Sequence, residues 1–280
     1  MKRNFFKRKG VIVTGVVLLF IISIGAGLYL GMQSENKNDS KIVMYPGHIR
    51  IIQYNISHGL NSQNKLNLSE VKNLIQQEKP DIVCFNAIDN ATPQSGYINQ
   101  PGKLNENLDM NFSFGKTKEL ADGSTGNAIF TRFPIKFAQN ILFREKKNSR
   151  NAFLYVIVEY KDEELHILTT SLGKQNYKTR LRELESFIRE REIEGEHIII
   201  AGTFNANKND REFAKLTQKY NSVFKQADDT PTHPATQPDK RKDFLLFSKN
   251  IKIMEGKVIN SDSAKHISEH FPVMANIDIK

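Results

Sequence analysis

The chain has 280 residues, of which 39% are hydrophobic and 25% charged, a formal charge of +9 and a single cysteine. That composition supports one substantial core and excludes collagen-like repetition, wholesale disorder and any intrachain disulfide or cysteine-based metal framework. Setting aside residues 1–36 leaves about +5, an excess that solubility explains and that also suits an anionic polymer, a lipid headgroup surface or nucleic acid.

Residues 1–10 form a basic tail carrying Lys2, Arg3, Lys7, Arg8 and Lys9, and residues 11–32 are uncharged and mostly apolar. A membrane-spanning helix needs about 20 such residues. A cleaved signal peptide is the competing reading, but the apolar stretch exceeds the usual ~7–15 residues and no small-residue site with alanine at both positions follows it. Residues 11–32 therefore read as an uncleaved transmembrane helix. The basic excess before it places the N-terminus in the cytoplasm and the rest of the chain outside, as a single-pass cell-membrane protein. Residues 33–45 read as a short polar linker, and residues 46–280 as one domain.

Within that domain, residues 51–56 (IIQYNI) predict a strand. Asn67 and Glu70 have capping-box spacing, and Leu68, Val71, Leu74 and Ile75 recur at helical intervals until Pro80 ends the helix. A second strand follows at residues 81–85, where Cys84 reads as a buried, inert thiol. Residues 127–130, 153–160 and 165–170 predict three more strands, the last two joined by a charged turn. Leu181, Leu184, Phe187 and Ile188 share a helix face, and residues 198–201 are a fully apolar strand. Pro231, Pro234 and Pro238 mark a loop before strands at residues 244–247, 251–254 and 271–279. Many strands with few helices favour an α/β layered sandwich over a doubly wound parallel sheet.

Seven blocks carry a resemblance: YNISHG at 54–59, KPDIVCFNAID at 79–89, GNAIFTRFPI at 126–135, TTSLG at 169–173, GTFNA at 202–206, DFL at 243–245 and SEHFPV at 268–273. In order and content they resemble the endonuclease/exonuclease/phosphatase (DNase-I-like) family. The resemblance implies a four-layer α/β/β/α sandwich and Mg²⁺-dependent cleavage of phosphate esters at one end of it. Such chemistry needs carboxylate and amide oxygens for a hard cation, a base for water and proton donors for the phosphate.

Position by position, the resemblance makes Asn55 the metal-proximal and phosphate-binding asparagine, and keeps Asn205, Asp243 and His270 as catalytic groups, with Asn205 and His270 also on the phosphate. The working carboxylates are substituted. Ala87 stands for the metal-binding Glu, Thr203 for the Asp that handles water, Ser171 for a phosphate-contacting His, and Glu269 for the Asp beside the last His. A methyl cannot ligate Mg²⁺, and a threonine hydroxyl is no base near neutral pH.

The expected function is thus a membrane-anchored, extracytoplasmic pseudoenzyme that binds or scaffolds, needs no cofactor, and has an envelope protein, anionic polymer or phosphorylated ligand as partner. The alternative is a diverged Mg²⁺-dependent phosphodiesterase, phosphatase or nuclease in which Asn55 and Glu269, with Asp89 or Asp243, hold the metal. Nucleic acid is the least favoured partner, since the basic and aromatic residues around Lys136, Phe137, Phe143, Arg144, Lys146 and Lys147 also suit a solvated loop. His48, His58, His166, His197, His233 and His266 receive no role and read as satisfied or exposed.

Overall fold

The computed structural model describes residues 47–120, 122–144, 151–206, 210–224 and 230–279. The basic tail, transmembrane helix and linker expected over residues 1–45 lie outside the described residues. Among the described residues no helix is long and apolar enough to cross a membrane.

The chain order is β1 (Ile49–Asn55), α1 (Leu68–Glu78), β2 (Ile82–Asn90), α2 (Gln100–Asn105), β3 (Asn111–Leu120), β4 (Gly123–Thr131), β5 (Ile135–Leu142), β6 (Ala152–Tyr160), β7 (Glu163–Ser171), α3 (Tyr177–Glu190), β8 (His197–Thr203), α4 (Arg211–Lys219), β9 (Asn221–Ser222), β10 (Asp243–Phe247), β11 (Ile251–Val258) and β12 (Val273–Ile279). The strands form two six-stranded sheets, ordered β11-β12-β1-β2-β4-β3 and β5-β6-β7-β8-β10-β9. Each is mixed: β1 runs parallel to β2 and β7 parallel to β8, with antiparallel neighbours elsewhere. Two mixed sheets with helices against them make an α/β sandwich of the DNase-I-like kind.

Side-chain alternation explains the packing. On β1, Gln53 and Asn55 point to the second sheet, where they bond Asp243 and Thr203, while Arg50 points the other way and bonds the Glu78 carbonyl at the end of α1. One core joins Ile51, Ile129, Leu154, Val156, Ile167, Ile199 and Leu245 with Val71, Leu74 and Ile75 of α1. A second core holds the opposite face of the second sheet, with Phe153, Tyr155, Leu168, Ile198, Ile200 and Leu246, against Leu181, Leu184 and Ile188 of α3 and Phe213 and Leu216 of α4. Cys84 is buried in the first core and its thiol is pushed up by burial, the inert state expected of it.

Two local features position the site. At Gly202 a Cβ would lie 2.0 Å from the Thr170 carbonyl oxygen, so β7 and β8 approach as closely as they do only because that residue is glycine. In β2 the register with β4 shifts between Asn86 and Ile88, and Ala87 between them takes φ 49°. A left-handed alanine inside a strand costs about 1 kcal/mol or more, and such a bulge turns its residue out of the pleat.

The elements that sequence reasoning did not foresee are α2, β3, β5, α4 and β9. In particular, Lys136 and Phe137 lie on the edge strand β5 rather than in a loop, and Phe143 is buried. Lys146 and Lys147 lie outside the described residues.

Candidate functional site

The ends of β1, β2, β7 and β8 meet the start of β10 at one edge of the sandwich. Ser171 is paired in register with Thr203, and Thr203 with Asp243, which sets three of the candidate positions side by side on neighbouring strands. Asn55 closes β1 and His270 precedes β12, so the long-range topology delivers both to the same edge.

Asp243 is the centre of the arrangement and is fully buried. Its Oδ2 accepts from His270 Nδ1 at 2.7 Å and from the Thr232 hydroxyl at 2.7 Å. Its Oδ1 accepts from the Thr203 hydroxyl at 2.7 Å and, more weakly, from Gln53 Nε2 at 3.4 Å. Burial pushes this carboxyl upward, but the His270 charge and the bonds from His270, Thr203 and Thr232 outweigh it, and the net direction is down. Asp243 is therefore ionised and acceptor-only, so Nδ1 of His270 carries a proton and the ring presents Nε2.

Around that carboxylate lies a network of amides and hydroxyls. Asn86, fully buried, accepts at Oδ1 from Gln53 Nε2 and from the Thr203 backbone N–H, both at 3.1 Å. Its Nδ2 donates to Asn127 Oδ1 at 2.9 Å and to Thr169 Oγ1 at 3.0 Å, so a single side chain ties the two sheets together. Asn55 Nδ2 donates to Thr203 Oγ1 at 3.0 Å, and its Oδ1 accepts from the Ser57 N–H at 3.0 Å. Both polar ends of Asn55 are thus engaged. Gln53 Oε1 has no partner among the described residues.

The other candidate positions stand as follows. Ala87 occupies the bulge and is half-buried. Ser171 is half-buried. Asn205 follows β8 at φ 51° and is half-buried. The Glu269 side chain is exposed, while its carbonyl accepts from Ala235 N at 2.8 Å.

Two histidines that received no role from the sequence have definite surroundings. His58 Nδ1 donates to Asp89 Oδ1 at 2.8 Å, and Asp89 Oδ2 accepts from Thr92 Oγ1 at 2.5 Å and Gln94 Nε2 at 2.8 Å. Burial raises the Asp89 carboxyl, yet the His58, Thr92 and Gln94 bonds hold it below the ordinary range. The His233 ring lies 4.6 Å from that of His270, and Lys242 Nζ is 3.3 Å from His233 Nε2. Burial, then the charges of His270 and Lys242, push His233 down to about 4. A histidine and a lysine nine positions apart, flanking a stretch punctuated by prolines, offer no sequence signal of this contact.

As donors for a divalent cation these groups are poorly matched. Mg²⁺ takes oxygen ligands in a near-octahedral shell, chiefly carboxylates. The buried carboxylates Asp243 and Asp89 each have both oxygens bonded, and Thr203, beside Asp243, offers a hydroxyl rather than a carboxylate. Among the described residues no group of three or more His, Cys, Asp or Glu gathers closely enough to hold a metal ion.

Comparison with known proteins agrees with the layered fold. A family model described as the Endonuclease/Exonuclease/phosphatase family matches residues 52–261. An uncharacterized protein of Escherichia coli K12, YbhP, is 22% identical over 248 residues, covering 82% of this chain and 96% of that one. The human Nocturnin catalytic domain, solved with a bound sulfate anion, superposes with a TM-score of 0.70 at 17% identity over 85% of this chain and 95% of that domain. An endonuclease/exonuclease/phosphatase from Beutenbergia cavernae gives a TM-score of 0.68 at 17% identity over 83% of this chain and 72% of that one. The match over most of the sequence and the two-sheet sandwich lead to one conclusion: the chain belongs to the endonuclease/exonuclease/phosphatase family.

Proposed function

We propose that residues 46–280 form a catalytically inactive member of this family that binds a phosphate-bearing ligand without a metal ion, held at the outer face of a membrane by residues 11–32. The observation that carries the reading is the state of Asp243. Its oxygens are filled by His270, Thr232, Thr203 and Gln53, and Thr203, which the resemblance sets in the position of the Asp that handles water, brings a hydroxyl. Without Mg²⁺ no strong electrophile faces the phosphate, and without an acidic residue at 203 no base faces the water. His270, oriented by Asp243, and Asn205 remain to contact an oxyanion, while Asn55 serves chiefly to fix Thr203 and the turn at Ser57.

The alternative, a diverged Mg²⁺-dependent phosphodiesterase, draws on the exposed carboxylate of Glu269 and on Asp89, whose Oδ1 accepts from His58 alone, but Asp243, with two donors on each oxygen, would have to release hydrogen bonds before ligating. The purified chain, supplied with Mg²⁺ or Mn²⁺, is expected to leave DNA, RNA, sphingomyelin and bis-nitrophenyl phosphate intact at the level of a buffer blank. Metal-dependent turnover that disappears in His270→Ala would overturn the proposal. For the anchor, protease added to intact cells is expected to digest the domain and leave a small membrane-embedded fragment, whereas protection of the whole chain would contradict the orientation.

A further inference from the structure

The end of the sandwich opposite the Asp243–His270 edge holds a cavity of about 260 Å³ that the proposed function does not use. β1 and β2 run parallel, and the site lies at their far ends, where Asn55 and Asn86 bond Thr203. At their starts Arg50 N donates to Asp81 Oδ2 and Asp81 N to the Arg50 carbonyl, each at 2.8 Å. Arg132 joins them after β4, its Nε donating to the Pro80 carbonyl at 3.2 Å and its backbone N–H to the Asp81 carbonyl at 2.9 Å. The cavity opens beside this junction, about 20 Å from the site along the seven residues of β1.

Its walls are of two kinds. Ile75 and Pro80 at the end of α1, with Leu108 and Met110 ahead of β3, are buried and apolar, whereas Lys79 and Arg132 are exposed. Lys79 caps α1 in the left-handed region, φ 49°, and follows Lys72 and Gln76 at helical spacing on one face. Gln76 Nε2 donates to the Asn107 carbonyl at 3.3 Å, and the Asn107 amide, with its oxygen turned to Lys72, accepts from Nζ at 2.9 Å. The apolar surface continues past the cavity: Phe112, two residues beyond Met110, stacks on Phe130 at 5.0 Å and is still 39% exposed.

The carboxylates nearby are occupied elsewhere. Glu78 lies 3.6 Å from Lys257, Glu106 lies 2.8 Å from Lys103, and Asp81 accepts from the Arg50 N–H and is 4.0 Å from Arg132 Nε. Asp109 is exposed in the turn before Met110 and does not line the cavity. Among the described residues no carboxylate reaches Lys79 within salt-bridge distance, and the terminal nitrogens of Arg132 have no hydrogen-bond acceptor. A small inorganic anion would leave the apolar wall wet, and an apolar peptide would leave both cations unanswered. An anionic amphiphile satisfies both kinds of wall, its phosphate between the cations and its glycerol and first methylenes on Met110 and Phe112.

We propose that this cavity docks the domain on the membrane by taking the headgroup of an anionic phospholipid. Sixteen residues separate Met32, the last of the apolar stretch, from Ile49, a covalent reach of at most about 55 Å, and Ile49 enters the fold at this same end. Docked so, the Asp243–His270 edge faces away from the bilayer, and its phosphate-bearing ligand arrives from the opposite side rather than from the lipid beneath. The inference rests on the membrane-held reading above and adds the face that meets the bilayer.

The test uses the purified full chain reconstituted into vesicles of phosphatidylcholine alone or with roughly a third phosphatidylglycerol. Lysines are acetylated briefly with a reagent that does not cross the bilayer, and the ratio of Lys79 to Lys215 modification is read by mass spectrometry, Lys215 being an exposed residue of α4. The ratio is expected to fall about fivefold with phosphatidylglycerol present, Arg132→Gln to remove most of that fall, and Arg132→Lys, which keeps the charge, to preserve it. The same ratio in both vesicles, or a fall that Arg132→Gln leaves intact, overturns the docking site. Release of the chain from phosphatidylcholine vesicles by high salt overturns the anchor instead, and the ratio read on the released chain mixed with each vesicle then decides the cavity by itself.

Discussion

Replacing Asp243 by asparagine changes one buried atom and disturbs the whole centre of the site. The carboxylate accepts three bonds of 2.7 Å, from His270 Nδ1, Thr232 Oγ1 and Thr203 Oγ1. An amide keeps one acceptor oxygen and turns an NH₂ toward the donors on the other side. Thr232 cannot adapt easily, because its oxygen already accepts from Lys242 N and Asp243 N. Hydrogen bonds to a charged group contribute about 1.5–3 kcal/mol each, and breaking a buried pair by removing one partner costs about 3–5 kcal/mol, so a loss of about 4 kcal/mol is expected for Asp243→Asn. For a domain of this size that lowers the thermal midpoint by about 10 °C.

The sign with pH follows from the lowered carboxyl. The stabilisation is complete above the unfolded-state pKa of about 3.9 and fades as pH falls from there through the folded value, so parent and variant converge in acid. Urea unfolding at pH 7 and at pH 3 measures both, and ¹⁵N shifts of the His270 ring report whether Nδ1 has lost its acceptor. A loss under about 1 kcal/mol at pH 7 with an unchanged His270 tautomer would refute the reasoning, because bonds of this kind in a buried site cannot be that weak.

Other perturbations probe the surroundings. Asn86→Ala removes the link between the sheets and strands the Thr203 N–H and Asn127 Oδ1, for an expected loss of about 3–5 kcal/mol by urea unfolding. The effect of Asn105→Ala, near the surface of α2, should be smaller. His166 is buried, bonds the Tyr155 hydroxyl at 2.7 Å, and is lowered first by burial. Its neutral form is the one the fold accepts, so stability is complete above the unfolded pKa of about 6.5 and declines by up to about 1.4 kcal/mol per pH unit below it, until the folded value is reached. His166→Gln should flatten that part of the stability profile. In Thr203→Asp a second carboxylate faces Asp243, which destabilises the domain when EDTA is present; addition of Mg²⁺ should raise the thermal midpoint of that variant and not of the parent chain.

Much of this architecture was legible because burial writes periodicity into sequence. β1, α1, the first half of β2, β6, β7 and β8 announce themselves by runs of Ile, Val, Leu and Phe that the two cores demand. The strands that escaped notice are at sheet edges. β3 and β5 each border one sheet, and most of their side chains are exposed or half-buried, so polar and charged residues are tolerated where an interior strand would need apolar ones. α4 anchors itself with Phe213 and Leu216 alone, too few for a clear helical stripe. The site was half legible. Asp243, His270 and Thr203 stand in local motifs, and the structure sets the three in contact. Gln53, Asn86 and Thr232 did not stand out, since amides and hydroxyls carry no chemical signature in isolation, and their partners are as far as 190 positions away in the chain. His233 and Lys242 were hidden for the opposite reason: charged residues in a proline-rich loop look like ordinary surface until the bridge between His233 and Lys240 folds them together.

The most direct test of the central claim is calorimetric titration of the purified chain with Mg²⁺ and Mn²⁺. With the buried carboxylates committed to hydrogen bonds and the bulge occupied by Ala87, no saturable heat is expected below millimolar metal, and neither Asn55→Ala nor Glu269→Gln should alter the trace. Stoichiometric binding in the micromolar range, abolished by either substitution, would contradict the account and restore the metal-dependent phosphodiesterase.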